Sequence, residues 1–230
     1  MRDCPRHEIM VPMRHRLYKY FTNRKWADAF LDGEICFNSL ACFRDYEDRS
    51  VREDKDEGNS VYRPAGGLLI TNHTQARTFT LPNFAFESTV NQEEVLVFCV
   101  SRSLTDELRK RFKAVVCVEI FKIQTLCERI KKALPTEATF RAGRVDYYDP
   151  NEAPNPRWAL PDQIAMSNFN SYQWQDEFRF VVCLTDALGF EKAALRLVKG
   201  EAREAPKPAE HHSHLLKARS LRDICRLREF

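Results

Sequence analysis

Asn170-Ser171-Tyr172-Gln173-Trp174-Gln175-Asp176-Glu177-Phe178-Arg179-Phe180-Val181-Val182-Cys183 is a polar, aromatic loop that turns abruptly into a strand, predicted over Glu177 to Leu184. In an extended chain successive side chains point to opposite faces, so Glu177, Arg179 and Val181 share one face and Phe178, Phe180 and Val182 the other. Glu177 stands at the strand entrance, away from the more apolar face. Gln175 points the same way if the extended geometry begins there. A Glu/Arg pair at this spacing is by itself what an ordinary surface strand carries. A glutamine and a glutamate meeting at a loop-to-strand junction is a more particular arrangement.

Outward from this segment, strands and helices interleave without a regular β-α-β alternation. Arg16 to Phe21 is aromatic and alternating, as a strand should be. Thr22 or Asn23 can cap a helix through Trp26, Ala27, Ala29, Phe30 and Leu31 that stops at Asp32-Gly33. A strand, Glu34 to Leu40, and a short helical piece, Ala41 to Tyr46, come next. The charged stretch Glu47 to Gly58 has almost nothing to bury and is expected to be an exposed, mobile loop. Strands are expected at Gly67 to Thr71, Ala76 to Leu81, Glu94 to Val100 and Ala114 to Ile120, with a helix at Leu104 to Phe112. Phe121 to Leu134 repeats Ile123, Leu126, Ile130 and Leu134 at helical spacing and ends at Pro135. A strand, Gly143 to Tyr148, a Pro-rich connection, a helix near Asp162 to Phe169 and a strand at Leu195 to Val198 complete the pattern. The expected class is α+β, with residues 1–200 as a single domain and 201–230 as a linker and a C-terminal basic helix.

Composition narrows the possibilities. In 230 residues, 43% hydrophobic content and 16 Phe supply a core, while only 7 Gly and 11 Pro argue against a repetitive chain. No apolar run approaches the roughly 20 residues needed to span a bilayer, and no secretory signal is apparent, so no membrane partner is expected. The 8 cysteines are scattered among apolar neighbours without a Cys-x-x-Cys pair, which fits reduced thiols in a cytoplasmic protein. His211, His212 and His214 follow a Pro/Glu/Ala-rich linker and read as a solvated segment, so no metal is expected. The formal net charge of +3 identifies no partner. Three basic clusters, around Arg109 to Lys113, Arg129 to Lys132 and Lys217 to Arg228, are either solvated faces or contacts to a polyanion. The acidic residues Asp45, Glu47, Asp48, Asp54, Asp56 and Glu57 are interrupted by Arg44, Arg49, Arg52 and Lys55, which favours a salt-bridged loop over a metal-dependent nuclease site.

Gln175-Asp176-Glu177 resembles the Gln/Glu-x-Glu signature of the ADP-ribosyltransferase superfamily. Leu17-Tyr18-Lys19 resembles its first-strand Leu-Tyr-Arg, and Phe37-Asn38-Ser39 its aromatic-x-Ser strand, both in the expected order. From Leu17 to about Val182 the chain also resembles a bacterial family of unknown function that begins Leu-Tyr-Lys-Tyr and ends in an acidic-aromatic-Glu-aromatic-Arg strand. The resemblance implies a split two-sheet core with flanking helices. It also implies a mono-ADP-ribosyltransferase acting on NAD+, as a bacterial toxin or antiphage effector that modifies RNA, DNA or protein, with an antitoxin as a further partner. In that frame Glu177 stabilises positive charge on the ribose and Gln175 aims the nucleophile, with Trp174 and Tyr172 stacking on the acceptor. Ser39 and Lys19 hold the nicotinamide ribose and the pyrophosphate or adenosine side, and Tyr18, Tyr20 and Phe43 offer surfaces for the nicotinamide ring. Lys19 stands where the family has arginine and lacks its bidentate fork. That departure keeps open a non-catalytic module of the same fold that binds nucleic acid or protein, and the acidic stretch keeps open a metal-dependent nuclease.

Overall fold

The computed structural model describes residues 16–44, 57–155, 157–200 and 210–230. The aromatic strand β1 (Leu17–Phe21) leads into α1 (Arg24–Leu31), which Asn23 caps by accepting the Lys25 amide at 2.9 Å. Ala27, Phe30 and Leu31 are its buried stripe. The turn that follows places Gly33 at φ +102°, where an added Cβ would lie 2.3 Å from the Ala218 carbonyl oxygen, so both angle and clearance require glycine.

The next elements are β2 (Glu34–Ser39), the short α2 (Leu40–Arg44), β3 (Asn59–Tyr62), β4 (Leu68–Asn72), β5 (Arg77–Leu81) and β6 (Phe84–Thr89). The buried strand β7 (Val95–Ser101) precedes α3 (Asp106–Arg111), whose Leu108 amide is capped by the Thr105 hydroxyl at 3.1 Å. β8 (Val116–Ile120) then leads to α4 (Ile123–Ala133), with Ile123, Leu126 and Ile130 buried at the expected spacing. The remaining elements are β9 (Thr139–Arg144), β10 (Asp146–Tyr148), α5 (Pro161–Ala165), β11 (Ser167–Phe169), a 3₁₀ turn (Asn170–Gln175), β12 (Glu177–Cys183), β13 (Ala194–Lys199), β14 (Ser213–Lys217) and β15 (Cys225–Glu229).

Two expectations are corrected here. The helix near Asp162 to Phe169 stops at Ala165, and Ser167–Phe169 instead pairs in parallel with β10. The C-terminal basic helix is replaced by β14 and β15. In β15, Cys225 and Leu227 turn toward the core while Arg228 turns to the opposite face and pairs with Glu119. The basic residues thus follow a period of two that alternates with apolar ones, and burial of that apolar face outweighs helical propensity.

An eight-stranded antiparallel sheet organises the molecule. β9, β12 and β7 form its stem. β1 and β2 both attach to the other edge of β7: Tyr18 lies opposite Ser101, whereas Asn38 and Ser39 lie opposite Val97 and Leu96. From there the two strands part. β1 carries β8 and β15, β2 carries β14, and α1 connects the diverging arms. Where the resemblance implies two sheets, hydrogen bonding joins these strands into one forked sheet. A three-stranded sheet, β13-β6-β3, and the pairs β4-β5 and β10-β11 lie outside it. The largest core packs Leu17, Phe98, Val118 and Phe180 under Phe30 of α1 and Leu126 of α4. On the other face, Leu40, Val97, Val181 and Ile164 form a second cluster, and Tyr20, Leu108 and Cys117 a third. Among the described residues no helix is long and apolar enough to cross a membrane.

Candidate functional site

The fork interrupts the ladder of β7. Between Val97 and Ser101, the residues Phe98, Cys99 and Val100 have strand partners only in β12. The gap opens into a cavity of about 540 Å³, within the size range of small-ligand sites. Its wall draws Lys19, Phe30 and Phe98 from one face of the sheet and Tyr18, Cys99 and Glu177 from the other.

Register explains how residues distant in sequence meet there. Tyr18 faces Ser101 across the β1–β7 pair, and Ser101 faces Glu177 across β7–β12, so the three form one row over three strands. Directly opposed residues share a face. Tyr18, Lys19, Tyr20, Phe43, Tyr172, Gln175 and Glu177 all line the cavity.

Ser39 and Trp174 do not line it. Ser39 is fully buried, and its hydroxyl accepts the amides of Cys42 and His212, each at 3.3 Å, while its own amide donates to the His212 carbonyl. It caps α2 and ties the start of β14 to β2, and a side chain so engaged contributes nothing to the wall. Trp174 turns toward α3, where it packs on Phe112 with ring centres 5.6 Å apart and beneath the Arg111 guanidinium at 4.4 Å. Gln175 reaches the cavity by a route other than extended geometry, since it ends a 3₁₀ turn. Asp176 then adopts left-handed angles, φ 43° and ψ 56°, and hydrogen bonds to Arg102 and Ser103 hold it there.

The cavity floor is ionic. Arg179 is 2% exposed, and Glu57 and Glu177 are each 6% exposed. The guanidinium meets Glu57 end-on, with Nη1 donating to Oε1 and Nη2 to Oε2, both at 2.8 Å. Nε and Nη2 donate to Glu177 Oε2 at 3.2 and 3.1 Å, and Nη1 also donates to the Ala165 carbonyl at 3.1 Å. Burial alone would lower the Arg179 pKa, but the Glu177 and Glu57 charges outweigh it and hold the group firmly cationic. The Glu/Arg pair is therefore no surface pair: β12 is buried from end to end.

Lys19 reaches into the gap from above the Phe98 ring, 4.5 Å from its centre, and donates to the Cys99 carbonyl at 2.7 Å. Burial, then the Glu177 charge, push the Cys99 thiol well above the ordinary thiol range, and a side-chain hydrogen bond with Glu177 acts in the same direction. The Tyr147 hydroxyl accepts the Glu177 amide at 2.9 Å, and burial followed by the same charge raises its pKa as well. Tyr20 is held by its hydroxyl, which donates to the Ser103 carbonyl at 3.0 Å and accepts the Thr105 amide at 3.1 Å; burial raises its pKa to about 12.

Arg179, Ser101, Glu57 and Trp26 are among the site residues that sequence reasoning missed. Ser101 ends the buried strand Phe98-Cys99-Val100-Ser101, and a polar residue closing an apolar strand was a usable signal. Glu57 closes the acidic stretch expected to be solvated. The loop reading is overturned at that residue, while Glu47 to Asp56 lie outside the described residues. Trp26, 60% exposed at the cavity rim, passed as a core position of α1. Among the described residues no group of three or more His, Cys, Asp or Glu is placed to hold a metal ion.

The chain matches no family model, no curated protein and no solved structure.

Proposed function

We propose that this protein is an NAD+-dependent mono-ADP-ribosyltransferase with Glu177 as its catalytic carboxylate. One observation carries the reading: Glu177 lies buried in the wall of an aromatic-lined cavity at the sheet fork, in the same wall as Lys19 and Gln175. Breaking the bond between C1′ of the ribose and the nicotinamide nitrogen sends the bonding electrons to nicotinamide and develops positive charge on the sugar. A fixed carboxylate that accepts the ribose 2′-hydroxyl stabilises that charge where it forms. Both guanidinium contacts fall on Glu177 Oε2, and the carboxylate is also a side-chain hydrogen-bond partner of Cys99 at the cavity wall. The acceptor's nucleophilic atom then bonds to C1′ and gives up its proton. Gln175 aims the acceptor, and Lys19 supplies a cation for the pyrophosphate. The exposed ring of Trp26 and the half-buried Tyr172 at the rim suit the stacking of an unpaired base, which favours a single-stranded nucleic acid acceptor. A toxin or antiphage role, with an antitoxin partner, belongs to the same proposal.

A second reading, a non-catalytic binding module, draws on one observation: Glu177 is ion-paired to Arg179 inside the protein itself. Incubating the purified protein with labelled NAD+ and separate pools of RNA, DNA and protein decides between them. Label in one pool, lost in Glu177→Gln, supports the transferase. Label in none, with no nicotinamide released, supports the binding module.

A further inference from the structure

We infer that Glu57 and Arg179 are positioning residues that fix the Glu177 carboxylate in the cavity wall by holding its Oε2. The inference rests on the transferase reading for its kinetic consequence and on geometry alone for its structural one.

A guanidinium has five N–H donors in a rigid plane. Arg179 makes five hydrogen bonds: two to Glu57, two to Glu177 Oε2 and one to the Ala165 carbonyl. Its orientation is thereby set by three separate pieces of chain, namely the segment before β3, the end of α5 and β12 itself. Glu177 is held from within its own strand by a group that cannot rotate without losing contacts to the other two pieces.

The bonds are divided unevenly between the two carboxylates. Glu57 takes the end-on, two-oxygen pairing, while Glu177 is held through a single oxygen. Two carboxylates therefore share one guanidinium, Glu57 through both oxygens and Glu177 through one. If Arg179 faced Glu177 alone, the pair would be neutral and would oppose developing positive charge weakly. With Glu57 present, the guanidinium that grips Glu177 is shared with a second carboxylate. A buried ionic triad is a poor source of stability, because desolvation offsets most of its Coulomb energy. Positioning accounts for its presence better than stability does.

The test combines Glu57→Gln, which leaves Arg179 and Glu177 paired with each other, and Arg179→Lys, which keeps a cation between the two carboxylates, so that one variant covers the case in which the other fails to fold. The expected result is a fall in kcat for nicotinamide release of about 10- to 100-fold, the scale of a misplaced catalytic group, with the Kd for NAD+ changed less than about threefold. Wild-type kcat in the folded variants, or a loss confined to Kd, overturns the inference. Crystal structures of wild type and variants read the same point without NAD+. A displaced Glu177 carboxylate supports positioning, and an unmoved one overturns it. Should the wild-type protein release no nicotinamide, the transferase reading falls, and the crystal comparison still decides this one.

Discussion

Tyr18 and Asn38 lie on the same edge of β7, opposite Ser101 and Val97, and the strands that carry them diverge between those two points. The stretch of β7 left between them is where Lys19 donates to the Cys99 carbonyl at 2.7 Å. Lys19→Met keeps most of the stem over the Phe98 ring and removes the charged donor. Weaker NAD+ binding is expected, by about tenfold or ~1.4 kcal/mol in calorimetry, with a lower Tm. Unchanged affinity would remove Lys19 from the ligand site and leave it a purely structural bridge.

Glu177→Gln keeps the side chain's shape and deletes its charge. Nicotinamide release and transfer should both fall by roughly 10²- to 10³-fold, the usual scale for losing one preorganised electrostatic contact, while NAD+ affinity changes far less. Transfer undiminished in this variant would take Glu177 out of the chemistry.

Gln175→Ala should separate aiming from bond breaking. Its side chain lines the cavity, and its backbone carbonyl accepts the Ser101 hydroxyl at 2.8 Å, a bond the substitution spares. Transfer to the acceptor is expected to drop more than hydrolysis of NAD+ in the same preparation. Equal losses in both assays would assign Gln175 to the glycosidic step.

Ser39→Ala makes the opposite kind of prediction. Removing a hydroxyl that caps α2 and also holds the His212 amide should cost about 1–2 kcal/mol, and so lower Tm by several degrees, without changing kcat per folded molecule. Weaker NAD+ binding or a fall in kcat at unchanged Tm would restore Ser39 to the cofactor-binding role that the resemblance implies.

Glu119 sets an acid limb of stability. Its side chain is buried on β8, and Arg228 and Arg16 pair with it from β15 and from the start of the described chain. Burial pushes its pKa up, but the hydrogen bonds and charges of the two arginines outweigh that and hold it below the usual carboxylate value. A depressed folded-state pKa means stability that is present above the unfolded value of about 4.3 and lost as pH falls through the folded one. The Tm gap between wild type and Glu119→Gln should therefore narrow below about pH 4.3; a gap independent of pH would show that packing, not charge, is at stake.

Local patterning made much of this architecture legible. The α4 stripe and the apolar strands β7 and β8 follow from neighbours in the sequence, which also narrow the α1 cap to Thr22 or Asn23 and the α3 cap to Ser103 or Thr105; the structure takes the second of each. The placing of Tyr18, Lys19 and Glu177 on strands follows in the same way, although their convergence depends on register, which no local pattern reveals. Ser39 and Ser101 show the limit. Both are serines closing apolar strands, and only the pairing of β1 and β2 with β7 decides that the second faces the cavity and the first caps a helix. Glu57 was hidden for a related reason: its partner Arg179 lies far along the chain, and amid acidic neighbours it looks like any solvated carboxylate.

β14 seals the outer edge of one arm of the fork and β15 that of the other, with the crossing between them anchored where the Ala218 amide meets the Gly33 carbonyl at 2.8 Å and the Leu221 amide that of Leu31 at 2.8 Å. Residues 213–229 are among the last of the described chain to be synthesised, so β2 and β8 stay unsheathed until they arrive. Pairings this remote in sequence form slowly, because a large loop must close before they repay its entropy. During that interval both strands present open hydrogen-bonding edges to other nascent chains. Folding yield, more than the equilibrium stability of the finished sheet, is thus the property most exposed to changes in this crossing.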